Sequence, residues 1–292
     1  MADTNRSGDD RRDDHRSDDE VGSAEEPTSR PWRTKDDKPK GGRSSLLRET
    51  IIIVACVLLI SWILQTFIGR QYVIPSESME PTLIGCDGCT NDRIVVDKLS
   101  YRFGDPSPGD VVVFKVPDSW GGPWVSPRSS NTVVHGLQDG MSWFGFAPPD
   151  ENDYVKRIIA VGGQTIECNN DQNVGVTVDG KPLHEPYVDM ALQRQNLAEN
   201  LIADADAVNA EGQLTPCLGK SFGPIKVPEG HAFMMGDNRT RSSDSRYHIV
   251  TDSNGVITDD GTVPIDNIRG KTRFVIYPFS RMGGVASIDP QQ

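Results

Sequence analysis

The chain has 292 residues, enough for one sizeable domain with appendages or for two small ones, and a formal net charge of −12. That charge excludes a general nucleic-acid binder, because phosphate contacts need a basic surface. A moderate hydrophobic content of 36%, with 28 glycines and 20 prolines, favours a turn-rich, β-leaning body over a helical bundle.

Along the chain the composition is uneven. Residues 1–48 hold almost no apolar side chains. Such a segment cannot bury enough surface to offset its ordering entropy, which predicts a disordered tail. Its charges alternate in sign, so it is neither a basic arm nor an acidic tail. The run IIIVACVLLISWILQTFIG, Ile51 to Gly69, then carries no charged residue. At about 1.5 Å per residue it falls just short of the roughly 30 Å of a hydrocarbon core. A buried core helix rarely lacks a polar face over this length. A cleaved signal peptide would have a short basic leader and a small-x-small cleavage site. Here the leader extends to residue 50, and FIGRQYVIPS offers no convincing A-x-A. The expectation is a transmembrane signal anchor over residues 49–70, and no second spanning segment follows. Lys35, Lys38, Lys40, Arg43 and Arg48 precede the span, whereas only Arg70 follows at once. The positive-inside tendency therefore places the N-terminus in the cytoplasm and residues 71–292 outside, a single-pass protein of the cell membrane.

Cys56 lies in the span; Cys86, Cys89, Cys168 and Cys217 lie beyond it. An even count in an oxidising compartment suggests disulfides. A zinc site would want four ligands, and no second C-x-x-C or histidine pair has suitable spacing. Redox work by Cys86 and Cys89 would want a βαβ context. A stapled loop at GCDGC is expected, which leaves Cys168 for Cys217.

The outer part reads as short strands divided by turns. DRIVVDKLSY, VVVFKV, DYVKRIIAVGG, QTIEC, GVTVDGKPL, FGPIKVPEGHAFMMGDN and GKTRFVIYPFS follow one another, with D-G and P-E-G as turn signals. MALQRQNLAENLIADADAV, Met190 to Val208, is the one stretch with a helical pattern. The expected architecture is a mainly antiparallel β-sheet domain over residues 71–292, with insertions near 118–152 and 189–222.

The external histidines are His135, His184, His231 and His248, and no G-x-S-x-G elbow accompanies them. A Ser-His-Asp triad is poorly supported. A serine can also be activated by a neutral lysine, provided burial disfavours the ammonium. Lys156, in YVKRIIAV, has the apolar neighbours for that. As a strand this segment sets Lys156 and Ile158 on one face, and Val155, Arg157 and Ile159 on the other. Taken alone, a lysine there reads as an edge-strand gatekeeper.

The ensemble changes that reading. PSESMEPTL (Pro75 to Leu83) lies just beyond the span, DYVKR follows at a distance, and MGDNRTRSSDSR (Met235 to Arg246) comes later. In that order the three resemble the sequence boxes of type I signal peptidases, the membrane-bound leader peptidases that remove secretory signal peptides. DRIVVDKLSY and PGDVVVFK resemble the two intervening boxes. The likeness covers most of residues 71–280. It implies a signal-peptidase type of β domain in which Ser78 is the nucleophile and Lys156 the general base. Ser76 takes the place of the oxyanion-hole hydroxyl, acting with the Ser78 backbone N–H. Ser242 matches a serine that hydrogen-bonds and orients the lysine. Arg157 with Asp237, and Arg246 with Asp244, match supporting ion pairs. Tyr72, Ile74, Met79, Leu83, Tyr154 and Val155 match positions near shallow pockets for small side chains. The resemblance also implies signal peptides of exported preproteins as substrates, a lipid bilayer and the export translocon as neighbours, and neither metal nor organic cofactor. Glu77 and Glu80 depart from some members, where Gly or an apolar residue is common.

The rings of Trp120, Trp124, Trp143, Phe144 and Phe146 concentrate in the first insertion. They either fill a satellite core or rest on the outer leaflet, since Trp favours the headgroup zone. Two rival classes remain in view. Self-cleaving Ser/Lys repressors would carry a DNA-binding segment in place of the anchor. A membrane-tethered scaffold could lose Ser78 or Lys156, and both are present.

Overall fold

The computed structural model describes residues 43–65, 69–121, 129, 131–143 and 152–292. The expected tail, as far as residue 42, lies outside them, as do Trp124, Phe144 and Phe146. The first helix, α1 (Arg43–Ile63), takes in the last residues of the expected tail, which are helical and not disordered, and the uncharged run only as far as Ile63. Its Leu46–Ile63 stretch is long and apolar enough to cross a membrane, with none of it buried by protein. Gly69 and Arg70, expected at the end of the anchor, belong instead to the first strand, where they pair with Asp97 and Val96.

In chain order the remaining elements are β1 (Gly69–Val73), β2 (Arg93–Asp97), α2 (Ser100–Phe103), β3 (Val111–Lys115), α3 (Thr132–Trp143), β4 (Asp153–Val161), β5 (Thr165–Cys168), β6 (Val176–Val178) and β7 (Lys181–Pro182). They continue with α4 (Met190–Ala198), β8 (Phe222–Lys226), β9 (His231–Met235), β10 (Ile249–Thr251), β11 (Ile257–Asp260), β12 (Val263–Pro264), β13 (Ile268–Tyr277) and β14 (Gly283–Gly284). The main sheet has eight strands in the order β1-β2-β13-β3-β4-β9-β12, with β14 on β13. A four-stranded sheet runs β7-β6-β5-β8, and β10 pairs with β11. The pairings are antiparallel, as the alternating strands and tight turns predict.

β4 organises the site because both of its faces are covered. Ile158 packs with Val112, Phe114, Trp120 and Met234, while Ile159 and Ala160 pack with Ile166, Phe233 and Met235. A strand buried on both sides needs a continuous apolar run rather than strict alternation, and IIAV, Ile158 to Val161, supplies one. The edge-gatekeeper reading of Lys156 fails because its side chain is 3% exposed, where a gatekeeper would stand in solvent.

Helices were the least legible elements. α4 stops at Ala198, well short of Val208. Asp189 caps its start by accepting from the Ala191 and Leu192 N–H groups. At its end Asn200 adopts φ +56°, the Leu201 N–H reaches Asn196 O at 2.8 Å, and the Asn200 N–H reaches Leu197 O at 3.1 Å. That is a Schellman stop, with asparagine taking the left-handed position. The first insertion holds an unexpected twelve-residue helix, α3. Cys86 is bonded to Cys89 and Cys168 to Cys217, the pairing expected.

Candidate active site

Past β1 the chain makes a single 3-10 turn, Glu77–Met79, that buries Ser78 and Met79. The turn is held from several directions. Asn238 N–H donates to Ser78 O at 3.1 Å, and Leu83 N–H to Met79 O at 2.9 Å. Thr82 Oγ1 donates to Asp237 Oδ2 at 2.6 Å. The Glu77 carboxylate pairs with Arg241. Arg281 reaches Pro81 O at 3.4 Å and Thr82 O at 3.3 Å while gripping the buried Asp92 carboxylate. Leu83 is fully buried beneath the turn, in the cluster of Ile94, Val96 and Val111. It is thus a core residue and does not line the cleft, which corrects the pocket role expected for it.

Lys156 lies opposite Val112 in the sheet register. Its Nζ donates to Ser78 Oγ at 2.7 Å. Burial pushes the ammonium down from its usual 10.5 to about 8; Asp244 and Asp237 pull against that shift and Arg246 adds to it. Ser76 Oγ stands 3.2 Å from Ser78 Oγ and caps no backbone group of the turn. The Ser78 hydroxyl, the Lys156 amine and the Ser76 hydroxyl thus meet at one point.

The wall behind them is ionic. Arg157 grips Asp237 with two bonds, Nε to Oδ1 at 2.9 Å and Nη2 to Oδ2 at 2.7 Å. Its remaining nitrogen donates to Gly109 O at 2.7 Å, and its plane lies 4.0 Å above the Tyr187 ring centroid. Arg246 holds Asp244 the same way, through Nε and Nη2, both at 2.9 Å. Burial would raise the Asp244 carboxyl; the Arg246 charge and hydrogen bond, the Gly236 N–H and Lys156 together outweigh it and hold the group below the usual carboxylate range. Gly236 passes so close to this wall that a Cβ there would collide with Ser78 O and Ser242 Oγ. Only glycine fits. Ser242 is buried at that contact as expected, but its Oγ makes no hydrogen bond among the described residues. The expected bond from Ser242 to the lysine is not formed; the bond that Lys156 Nζ makes is to Ser78 Oγ.

A cleft of about 450 Å³ opens onto Ser78. Two runs of chain edge it, Tyr72–Ser76 and Asn152–Lys156, with Met79 and Val113 between them. Tyr72, Ile74, Met79, Tyr154 and Val155 therefore all reach the cleft. β1 is the terminal strand of its sheet. β4 pairs with β9 only from Arg157 onward, so the other edge of Asp153–Lys156 has no strand partner among the described residues. Two strand edges face one groove.

Thr82, Asn238, Arg241 and Arg281 were missed by sequence reasoning. Asn238 and Arg241 fall inside the MGDNRTRSSDSR motif, which was a usable signal; Arg281 has no local signal at all.

The histidines do not compete for the base. His135 faces Asp139 at 3.1 Å, His231 Nδ1 meets Glu229 O at 3.2 Å, and His248 stacks on Trp120 at 4.1 Å between ring centroids. An amine as the base beside a serine defines the Ser/Lys class of serine peptidases. Within that class the chain belongs to one family: residues 47–277 match the family described as signal peptidase, peptidase S26. It is 48% identical over 261 residues to "Signal peptidase I" of Mycobacterium tuberculosis (strain ATCC 25618 / H37Rv), covering 88% of this chain and 82% of that one. To "Probable signal peptidase I" of Mycobacterium leprae (strain TN) it is 48% identical, with 86% and 83% covered. To "Signal peptidase I S" of Bacillus subtilis (strain 168) it is 31% identical, with 79% and 88% covered.

Proposed function

We propose that the chain is a membrane-anchored serine endopeptidase that removes signal peptides from exported preproteins, with Ser78 as nucleophile and Lys156 as general base. The 2.7 Å approach of a buried amine to a serine hydroxyl, at the head of a groove edged by two strands, carries this reading. The signal peptide's C-terminal end lies extended in the groove, adding a strand to β1 and to the open edge of β4. Alternate side chains then point at Ile74, Met79 and Val155, which suits small residues at −1 and −3. With Lys156 neutral, its lone pair takes the Ser78 proton as Oγ attacks the scissile carbonyl. The Ser76 hydroxyl and the Ser78 N–H receive the oxyanion. Lys156 then hands the proton to the leaving amine, and in the second half it activates the water that releases the acyl group. Asp237, Arg157, Asp244, Arg246 and Ser242 hold the wall against which the pair is fixed.

In this reading α1 is the anchor, and the cationic residues ahead of it support a cytoplasmic N-terminal tail and a peptidase domain outside, where preproteins leave the export machinery. The test is a preprotein with an A-x-A site, incubated with the full chain in detergent. Sequencing of the product should show a new N-terminus directly after A-x-A. A folded protein that leaves the preprotein whole contradicts the reading.

Ser76→Ala should lower kcat by about 10²–10³-fold with little change in KM, since one oxyanion donor is lost and ground-state contacts are kept. A KM effect alone would assign Ser76 to binding instead.

A further inference from the structure

α3 (Thr132–Trp143) is built inside out. At about 100° per residue, Val133, Val134, Leu137 and Met141 form one continuous apolar stripe. Such a stripe ordinarily faces the core. Here Val133 is 81% and Leu137 65% exposed, with Val134 and Met141 also in solvent. The opposite edge is the buried one: Ser142 is 7% exposed and donates to Asp139 O at 2.8 Å. Half-buried Gln138 accepts from the Ser129 N–H at 3.2 Å. Asn131 caps the first turn, accepting from the Val133 N–H at 3.0 Å. The cap and the polar edge are thus bonded within the insertion itself, and the apolar edge is turned to solvent.

We propose that α3 is an interfacial helix whose stripe beds into the outer leaflet of the bilayer that the same chain spans. This rests on the reading above, which places the domain on that side. A bilayer is favoured over a protein partner by the chain itself. α1 ends at Ile63 and β1 begins at Gly69, so the domain cannot leave the surface. The sequence around the helix adds Trp124, Trp143, Phe144 and Phe146, ring types that favour the headgroup level. α3 contains no lysine or arginine, so its contact is apolar and indifferent to lipid charge. In the chain α3 ends at Trp143 and β4, which carries Lys156, begins at Asp153, so bedding α3 tethers that end of the cleft close to the leaflet.

The test uses the full chain with Cys56→Ser and its two disulfides intact. An environment-sensitive fluorophore is attached at Leu137→Cys, on the stripe, or at Gly136→Cys. The latter is off the stripe, and a side chain there meets nothing within 4 Å. Both proteins are reconstituted into phosphatidylcholine vesicles with and without brominated acyl chains. The expected result is a blue shift and several-fold stronger quenching at Leu137 than at Gly136, unchanged by anionic lipid or salt. Equal quenching at the two sites, or none at Leu137, overturns the proposal; a Leu137 blue shift that instead grows with protein concentration in detergent assigns the stripe to a second copy. The pair Val133→Asp with Leu137→Asp should cut a vesicle-embedded preprotein about tenfold more slowly than wild type, yet cleave a soluble A-x-A peptide at the wild-type rate. Unaltered cleavage of the embedded preprotein overturns the role in tethering the cleft. Failure of wild type on the soluble peptide would count against the peptidase reading and leave the quenching result standing.

Discussion

Lys156→Met should lower kcat on a soluble A-x-A peptide by about 10⁴-fold or more while the protein stays folded. Methionine fills most of the lysine's space and removes the one amine that bonds Ser78 Oγ among the described residues. Ser78→Ala should be equally inert, and the double variant no worse than either, because the two groups act as a unit. Stability should move the other way. The Lys156 ammonium titrates near 8 in the fold against 10.5 ordinarily, so the unfolded chain holds that proton more tightly. The penalty for burying the charge is fully present below about pH 8 and disappears as pH rises through 10.5. Lys156→Met should therefore melt at a higher temperature than wild type at pH 7, with the gap closing by pH 10. Thermal melts at both pH values check this. A variant that still cuts, or one that melts lower at pH 7, would remove Lys156 from the role of buried base.

Asp237→Ala should destabilise the domain by about 3–5 kcal/mol, the usual cost of stranding one partner of a buried ion pair. Arg157 is 1% exposed and would keep its charge with no carboxylate to hold it. Thr82 would lose the acceptor that ties the nucleophile turn to the wall. Adding Arg157→Met should recover part of the loss, since the stranded cation goes with it. Recovery stays partial because Gly109 O and Ala286 O each lose a donor. Denaturant midpoints of the three proteins measure this. A loss below about 1 kcal/mol for Asp237→Ala would mean the pair is dispensable to the fold.

Much of this site is legible in sequence because its chemistry is local. The serine pair sits in one nine-residue stretch, and the lysine sits in a run whose apolar neighbours foretell its burial. What escaped was set by distance or by inversion. Arg281 braces the turn from far along the chain, and no short window contains both. Leu83 looks like a pocket residue by position, yet the turn folds it inward as a plug. Ser242 lies where the motif puts it, yet its Oγ has no bond among the described residues, which no motif announces. α4 stops where Asn200 turns left-handed, a conformation that composition does not announce. α3 was overlooked because two glycines interrupt it and its stripe has no core to face.

The most direct test of the central claim is the pH dependence of kcat/KM, which reports the free protein, for the full chain on a soluble A-x-A peptide. If Ser78 is activated by a buried, neutral Lys156, log kcat/KM should climb with unit slope from pH 6, bend near 8 and level off above it. A flat profile from pH 6 to 10, or a bend near 6.5 as for an ordinary histidine, would contradict the Ser78–Lys156 pair.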